Sequence, residues 1–391
     1  MFFNDFQRPE AVAVEGVAAA EAEAAIAALG TAADLCVVWG VGDAGLTTAL
    51  AARSGSRVIG FDDDAARVRE ARMRLRDRGF YGTRASVLEV DSLAEPLDVE
   101  RCADVVLVHG DAAHAAAAAE LVRPGGIAVV AAGAAAPGDG FTRVAAAGGS
   151  GSPPAGPWTI WRRTPASNTG SWTHQYASAD NSAFGGEALG GVRSAAELRP
   201  LWIGRPGPRD QADRSGRKPS PLAVAGRLYV QGLDRITGLN AANGTILWRL
   251  EIPGLARFNV PRDSSNWCAD EHHVFAVVRD RCWKIDGATG EVVAHLPAAA
   301  GKRDDWTYDW GYVGRVGPLL LGSTVKRDTA YRDFWGGEGW YDDKAGAATV
   351  STCSDTLFAV TAADGGSRWA YRRGQIINST ITAAGDRVWF V

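Results

Sequence analysis

The residues best suited to chemistry form a glycine-rich segment near the start of the chain. Residues 37–46 have the sequence VVWGVGDAGL, so a predicted buried strand runs directly into Gly40, Gly42 and Gly45 and then into a predicted helix. Glycines at this point let the backbone turn tightly and let a ligand approach the main chain. The amino end of the following helix adds free N–H groups and a partial positive charge. The pattern predicts a loop that binds a nucleotide or nucleoside.

Acidic residues end the next two predicted strands. Asp62 stands 20 residues after Gly42, the spacing at which a carboxylate can bind both hydroxyls of a ribose. Asp91 ends the third predicted strand, where it could meet an adenine amine. Two structural alternatives stay open: Asp62 as the cap of the following helix, and Asp91 as a solvated loop acid.

These residues are placed by elements that alternate between strand and helix. Helices are predicted at 17–29, 46–53, 65–78 and 112–122. Strands are predicted at 35–39, 57–61, 86–90, 105–108 and 127–130, followed by an antiparallel pair at 141–144 and 158–162. Repeated β-α-β units indicate an α/β, Rossmann-like, doubly wound and mainly parallel sheet with helices on both faces.

The stretch after Asp62 resembles class I S-adenosylmethionine-dependent methyltransferases. A full helix (AARVREARMRLRDRGF), Tyr81-Gly82, a strand ending at Asp91 and the turn LVRPGG at 121–126 carry the resemblance, which covers roughly residues 20–165. Two departures are visible. Ala44 stands where the family usually has its third glycine, and LVHGD at the end of the fourth strand lacks the Asn-Pro-Pro-aromatic motif.

The resemblance implies a domain over residues 1–165 that binds S-adenosylmethionine and transfers its methyl group. The cofactor-binding residues that we predict are Gly40, Val41, Gly42, Asp43, Gly45, Asp62, Asp63, Asp91 and Ser92. His109, at the end of the fourth strand, is a candidate general base, with a pocket-wall role as the alternative. Two other functions stay open: a non-catalytic scaffold with a degenerate Rossmann domain, and an NAD(P)-binding oxidoreductase, which the three glycines also fit.

The second part of the chain, residues 166–391, repeats. Short strands recur at 228–230, 274–276, 319–321 and 388–390, the first three with spacings of 46 and 45 residues. Each of the first three is followed by a second strand and by a turn with a polar residue and then a glycine four positions on: Asn240 and Gly244, Asp286 and Gly290, Thr361 and Gly365. A period of about 40–50 residues with strands throughout is typical of β-propeller blades. Trp248 and Trp369, four residues after two of these glycines, are expected to pack between blades.

This repeat resembles the pyrroloquinoline-quinone-type propeller repeat of quinoprotein dehydrogenases, with residues 172–202 as the opening segment. Pyrroloquinoline quinone itself is not supported, because the adjacent cysteine pair and a CxxCH haem motif are absent from the sequence. We expect about three blades of an incomplete propeller that recognises an unknown substrate or protein partner. Two loop regions are candidates for binding, each with a structural alternative. Arg262, Asp263 and Asn266 in PRDSSNW could lie at a blade end or could only form a turn. The aromatic and acidic residues at 331–343, in an insertion between Arg327 and Val350, could bind a sugar or a partner or could cap exposed blade surface. Because the fourth repeat breaks off at Val391, the chain is expected to be a fragment, or to be completed by other blades.

Composition and net charge narrow the classes of function, location and metal binding that remain open. The formal charge of −4 argues against nucleic acid as the main partner, because phosphate binding requires a basic face. No apolar run reaches the ~18 residues of a membrane span, and the first residues do not form a secretory signal, so a cytoplasmic location is expected. The five cysteines show no CxxC pair, which predicts core residues and no metal site.

Overall fold

The chain folds into two compact units. A computed structural model describes residues 17–29, 33–52, 56–99, 101–144, 158–167, 169–198, 200–203, 219–232, 234–255, 265–327 and 353–391. The first unit comprises Met1–Ser167, Arg193–Ile203 and Ala242–Thr245, and the second comprises Asn168–Val192, Gly204–Ala241 and Ile246–Val391. The candidate insertion at 331–343, and Arg262 and Asp263, lie outside the described residues.

Strands and helices alternate in the first unit, as predicted. Its helices are α1 (Val17–Leu29), α2 (Gly45–Ala52), α3 (Ala65–Asp77) and α4 (Ala112–Ala119). Its strands are β1 (Leu35–Trp39), β2 (Arg57–Asp62), β3 (Ala85–Glu89), β4 (Ala103–Val108), β5 (Val122–Ala131), β6 (Phe141–Arg143) and β7 (Trp158–Arg163).

These strands form one seven-stranded sheet in the order β3-β2-β1-β4-β5-β7-β6. The first five are parallel, and β7 pairs antiparallel with both β5 and β6, as the predicted closing pair requires. The sheet is Rossmann-like, because the chain winds outwards from β1 to one side through β2 and β3 and to the other side from β4 through β5. Residues of β4 are buried throughout, which is expected for a central strand covered on both faces.

The prediction for residues 121–126 was wrong. The helix ends earlier, at Ala119, and β5 already begins at Val122, so most of the LVRPGG segment lies inside the strand. Its pairing with β4 is interrupted between Ala103 and Val105, whose partners are Val122 and Ile127. A bulge absorbs the extra residues, and Gly125 adopts φ +76° within it.

The second unit consists of antiparallel strands. They are β8 (Leu222–Val224), β9 (Arg227–Gly232), β10 (Arg235–Asn240), β11 (Ile246–Glu251), β12 (Trp267–Ala269), β13 (His273–Val278), β14 (Arg281–Asp286), β15 (Val292–Pro297), β16 (Tyr308–Val316), β17 (Leu319–Lys326), β18 (Cys353–Ser354), β19 (Thr356–Thr361), β20 (Ser367–Tyr371), β21 (Ile376–Ile377), β22 (Thr382–Ala384) and β23 (Arg387–Trp389). They form three four-stranded sheets, β8–β11, β12–β15 and β16-β17-β19-β20, and the two-stranded pairs β18–β21 and β22–β23.

The three four-stranded sheets share local features that the sequence repeat predicts. Each has a register shift six residues before its turn glycine, after Gly238, Lys284 and Ala359 respectively. The turn glycines Gly244, Gly290 and Gly365 have φ of +69°, +77° and +77°. The positive φ explains why glycine recurs there, since other residues reach this region only with strain.

Apolar side chains fill the spaces between successive sheets. One cluster, which includes Tyr229, Trp248 and Trp267, joins the first and second sheets, and another, which includes Phe275, Trp310 and Phe358, joins the second and third. Cys268 and Cys282 are fully buried in the second cluster, as predicted for core cysteines. The sheets that the structure describes do not form a closed ring, so they establish antiparallel β repeats and not a complete propeller.

Candidate cofactor site at the carboxyl edge of the parallel sheet

The predicted site residues of the first unit follow the carboxyl ends of neighbouring strands. The glycine loop, residues 40–45, follows β1, and Asp62 and Asp63 lie at the end of β2. Asp91 and Ser92 follow β3, and His109 follows β4. Because β1 lies between β2 and β4, the two halves of the sheet diverge between β1 and β4, which is where ligands bind in open α/β sheets.

The glycine loop has a backbone that only small residues accept. Gly40 and Gly42 have φ of +83° and +52°, and Ala44 has φ +62°, a left-handed conformation that is uncommon for a residue with a side chain. A Cβ atom at Gly40 would lie 2.6 Å from the carbonyl oxygen of His109, whereas a Cβ at Gly42 would meet nothing within 4 Å. Gly40 is therefore required for packing against β4, and Gly42 faces open space.

Asp62 is placed differently from its predicted role as the ribose acid. Its side chain is only 1% exposed. Oδ2 accepts the backbone N–H of Val41 at 2.9 Å, and Oδ1 accepts the backbone N–H of Asp64 at 3.0 Å and the Arg67 Nε at 2.8 Å. Asp62 therefore fastens the glycine loop to β2. The backbone N–H of Val41 is occupied by its hydrogen bond to Asp62, and the Val41 side chain is only 1% exposed.

Asp63 is the more accessible of the two carboxylates. Its side chain is 34% exposed and lies 3.3 Å from Arg67 Nη2 through Oδ1. Oδ2 accepts the backbone N–H of Leu93 at 3.3 Å, in the loop after β3. Asp63 therefore lies between the ends of β2 and β3, in contact with both loops.

Arg67 was not among the predicted site residues. Its guanidinium pairs with Asp62 at 2.8 Å, with Asp63 at 3.3 Å and with Asp64 at 3.7 Å. The hydrogen bond to Asp62 raises the pKa of Arg67 above its ordinary value. The sequence signal was the run DDDAAR, because an arginine in the first turn of a helix reaches acids three to five residues before it.

The loop after β3 is held by Trp39, which the sequence predicts only as the last residue of a strand. Trp39, fully buried at the end of β1, donates its indole N–H to the carbonyl oxygen of Leu93 at 2.8 Å. This bond fixes the segment that carries Asp91 and Ser92 next to β1. Asp91 is exposed, and the Ser92 hydroxyl accepts the backbone N–H of Ala94 at 3.2 Å.

His109 is built into the wall of this edge. Its Nδ1 donates to the carbonyl oxygen of Gly40 at 3.0 Å. The ring stacks on Trp158 with centroids 5.4 Å apart and planes inclined by 25°. The side chain is half-buried, and these two contacts fix its orientation.

A carboxylate side chain, that of Asp43, lies at the amino end of α2. The exposed Asp43 carboxylate accepts the backbone N–H of Gly45 through Oδ1 at 2.9 Å. On the other side of the loop, Arg74 of α3 donates to the carbonyl oxygen of Asp43 at 2.7 Å. The carboxylate would repel a phosphate at this helix end, because anion binding there depends on free N–H groups and a positive dipole.

The edge therefore combines open space at Gly42 with accessible carboxylates at Asp43, Asp63 and Asp91. These carboxylate acceptors fit a ligand that carries sugar hydroxyls and a positive charge better than one that carries a pyrophosphate. Among the residues that the structure describes, no group of three or more His, Cys, Asp or Glu side chains could hold a metal ion. No described helix is long and apolar enough to cross a bilayer.

The solved structures described below are similar to the N-terminal region of this chain. No protein-family model matches the chain, and the comparison with curated proteins gave no match. Among solved structures, a candidate S-adenosyl-L-methionine-dependent methyltransferase from Methanococcus maripaludis matches at 20% identity and a TM-score of 0.27, over 29% of this chain and 54% of its own.

Two further structures contain ligands. A geranyl diphosphate methyltransferase in complex with S-adenosylmethionine matches at 21% identity and a TM-score of 0.25, over 29% of this chain and 48% of its own. A methyltransferase from Thiobacillus denitrificans in complex with S-adenosyl-L-homocysteine matches at 21% identity and a TM-score of 0.24, over 28% of this chain and 47% of its own. The matched region spans about half the length of each of these proteins.

Proposed function

We propose that the first unit binds S-adenosylmethionine at the carboxyl edge of its parallel sheet and is a methyltransferase module. One observation carries the proposal: Gly42 faces open space at the divergence of the sheet, with accessible carboxylates at the ends of β2 and β3 on one side of it. When bound, S-adenosylmethionine supplies a methyl group activated by a positively charged sulfur. The acidic side chains at this edge favour that charge.

The residue roles differ in part from those that the resemblance implied. Asp63 is proposed to bind the ribose hydroxyls, because the oxygens of Asp62 already accept three donors and its side chain is buried. Asp62 is proposed to keep the glycine loop in its binding conformation. Asp91 and Ser92 are proposed to meet the adenine. His109 is proposed to position Gly40 and form the pocket wall, because its Nδ1 and one ring face are already used.

Asp43 favours S-adenosylmethionine over a nicotinamide dinucleotide. In dinucleotide-binding folds the pyrophosphate lies on the amino end of the helix after the first strand. Here the Asp43 carboxylate caps that end through the Gly45 amide. A pyrophosphate would have to displace a like charge, whereas the ammonium and sulfonium groups of S-adenosylmethionine would be attracted by it.

Calorimetric titration of the full chain with S-adenosylmethionine, S-adenosylhomocysteine and NAD tests the proposal. We expect both sulfur nucleosides to bind and NAD not to bind. Asp63→Asn should weaken binding by about 10- to 100-fold, since it removes a charged hydrogen-bond acceptor from the ribose. Asp77→Asn, an equal charge change at the exposed far end of α3, is the matched control and should leave affinity unchanged.

Two other outcomes of the titration would each favour one of the alternative functions. Binding of NAD alone would replace the methyltransferase by a dinucleotide-dependent enzyme. No binding of any of the three ligands by a folded chain would support the non-catalytic scaffold.

For the second unit we propose that its sheets are β-propeller blades, used to recognise a substrate or partner. Support comes from the strand order shared by the three sheets, from the register shift six residues before each turn glycine, and from side chains packed between successive sheets. A longer polypeptide with further repeats should give a cooperative unfolding transition for the whole ring. Independent melting of each sheet would contradict a propeller.

A further inference from the structure

One irregular segment of the second unit, residues 172–181, which we call the strap, runs along the first strands of four sheets. Four backbone N–H groups donate to the strap, one from each of β8, β12, β16 and β22. Ala223 donates to the carbonyl oxygen of Trp172 at 2.8 Å, Ala269 to that of Thr173 at 2.9 Å, Arg315 to Nε2 of His174 at 2.9 Å and Ala383 to the carbonyl oxygen of Ala179 at 2.8 Å. The strap thus joins strands that are far apart in the sequence.

The four donors occupy the same register position in their sheets. Each lies opposite a residue that follows it by five positions in the second strand: Ala223 and Leu228, Ala269 and Val274, Arg315 and Leu320, Ala383 and Val388. Strands β8, β12 and β16 are each at an edge of their sheet, so the N–H groups that point outwards need an acceptor from elsewhere. The strap supplies that acceptor at the same place in each repeat.

The acceptor for the third sheet differs from the others in its chemistry. Three of the four acceptors are backbone carbonyl oxygens, and the fourth is the His174 ring. Because a backbone N–H can only donate, Nε2 carries no proton, and Nδ1 donates to the Thr173 hydroxyl at 2.7 Å. The side chain is 5% exposed, and burial lowers its pKa from 6.5 to about 4. A protonated ring would direct an N–H at the Arg315 N–H, and this bond would be lost.

Charged groups around His174 do not replace the lost bond. Asp180, on the strap itself, favours a charged ring but is exposed. The Arg315 guanidinium on β16 pairs with Asp270 at 2.9 Å, and Nδ1 of His273 on β13 lies 3.6 Å from the other oxygen of that carboxylate. Asp270 is therefore already engaged by its own partners. A proton binds His174 more easily once the ring has left this site for water.

The ends of the strap are held by contacts that do not titrate. At one end, Trp172 exchanges two backbone hydrogen bonds with Ala223, at 2.7 and 2.8 Å. At the other, the Asn181 side chain donates to the carbonyl oxygen of Ile381 at 3.0 Å. Between them, Ala177 has φ +70°, a left-handed conformation that is uncommon for a residue with a side chain. Loss of a bond in the middle would therefore free a strained turn whose ends stay attached.

We propose that the strap is a pH-sensitive latch. When His174 takes up a proton, its bond to the Arg315 N–H breaks, and residues 173–177 detach from β12 and β16 while Trp172 and Asn181 stay bound. Neutral pH keeps the latch closed, and mildly acidic pH opens it and uncovers the outward N–H groups of these two edge strands. The inference rests on hydrogen bonds within the second unit and is independent of the functions proposed above.

Hydrogen–deuterium exchange of the full chain, resolved to single residues by electron-transfer dissociation mass spectrometry, tests the latch. Rates at pH 8 and pH 5 are compared with the intrinsic rate at each pH to give protection factors. A ring pKa of 6.5 in the open state and about 4 in the closed state raises the opening equilibrium constant about 30-fold between these pH values. We expect the protection of the Ala269 and Arg315 amides to fall by up to that factor, and the amides of Ala223 and Ala383 to keep theirs.

Two histidine variants form a matched pair. His174→Gln places an amide oxygen, which does not titrate, where Nε2 was, so the protection of the Arg315 amide should become independent of pH. His273→Gln removes a histidine whose pKa burial also lowers and that lies beside the same Asp270, and it should leave the fall unchanged. Circular dichroism at pH 5 checks that each chain is folded. If His174→Gln does not fold, the four amides of the wild type still test the latch.

The proposal fails if the Ala269 and Arg315 amides of the wild type keep their protection at pH 5. Equal losses at all four amides would also contradict it, since they would show loosening of the whole unit and not release of the middle of the strap. A fall that persists in folded His174→Gln would assign the effect to another group and overturn the latch.

Discussion

The Asp62 carboxylate accepts the backbone N–H of Val41 at 2.9 Å, and so joins the end of β2 to the loop after β1. The two residues are 21 positions apart. An acid at the end of β2 is expected to face a ribose, yet here it is buried and holds the loop that would face the ligand. The neighbouring Asp63 keeps the exposure that a ligand contact requires.

Exchange of each acid for its amide should therefore have different effects on stability. Asp62→Asn replaces one carboxylate oxygen by a buried NH2 group, which faces hydrogen-bond donors and cannot accept from them. The substitution should therefore lower the free energy of unfolding by about 1–3 kcal/mol. Asp63→Asn, at a half-exposed position, should lower it by less than about 1 kcal/mol. Urea denaturation of both variants measures the difference. Equal losses would show that Asp62 does not hold the loop.

The two glycines at the start of the loop should tolerate alanine unequally. Gly40→Ala adds left-handed strain of about 1–2 kcal/mol and a contact of 2.6 Å with the His109 carbonyl, and should cost about 2–4 kcal/mol of stability. Gly42→Ala adds only the strain, because its Cβ meets nothing within 4 Å. Its main effect should be on S-adenosylmethionine affinity, measured by calorimetry. A larger loss of stability for Gly42→Ala than for Gly40→Ala would contradict this placement.

Trp248 should contribute far more to stability than its equivalent in the third sheet. Trp248→Ala empties a buried site between two sheets and removes the bond to the Gly287 carbonyl, so we expect a loss of about 3–5 kcal/mol. Trp369→Ala, at 38% exposure, should cost less than about 1 kcal/mol in the chain alone. Thermal and chemical unfolding of the two variants test the contrast, which would disappear if Trp248 did not span the interface.

Because of the buried His174 side chain, we expect the protein to lose stability in mild acid. Its Nε2 accepts the backbone N–H of Arg315 at 2.9 Å, and burial lowers the pKa of the ring from 6.5 to about 4. The unfolded chain therefore binds a proton between about pH 6.5 and 4 that the folded chain does not. The contribution of neutral His174 to the free energy of unfolding is fully present above that range and decreases as the pH falls through it. Below the range this group causes no further loss of stability.

The difference between the two pKa values corresponds to about 3.5 kcal/mol of stability at most, since one pKa unit is about 1.4 kcal/mol. Denaturation at a series of pH values measures the loss. His174→Gln should flatten most of the slope in this range, with a remainder from the half-buried His273, whose pKa burial also lowers. An unchanged slope in His174→Gln would assign the effect to other groups.

The prediction of elements from sequence succeeded where the signal is local. The helix at Val17–Leu29 and the strand at Leu35–Trp39 have the predicted bounds, and β10, β14 and β19 lie where the repeat places them. Periodicity of side chains and the position of turn residues depend on neighbours a few residues apart, so the chain itself carries this information. The start of β5 was missed because glycine and proline in LVRPGG predict a turn, while pairing with β4 keeps the segment extended around a bulge.

Sequence alone determined that a glycine loop precedes a helix, that acids end the next two strands, and that β repeats occupy the second half. Only the tertiary structure decided which acid holds the loop and which is accessible, that Trp39 fastens the loop after β3, and which tryptophan is covered by the next sheet. The reason is physical: these relationships join residues tens of positions apart, and burial and hydrogen bonding between them arise only when separate strands are brought together.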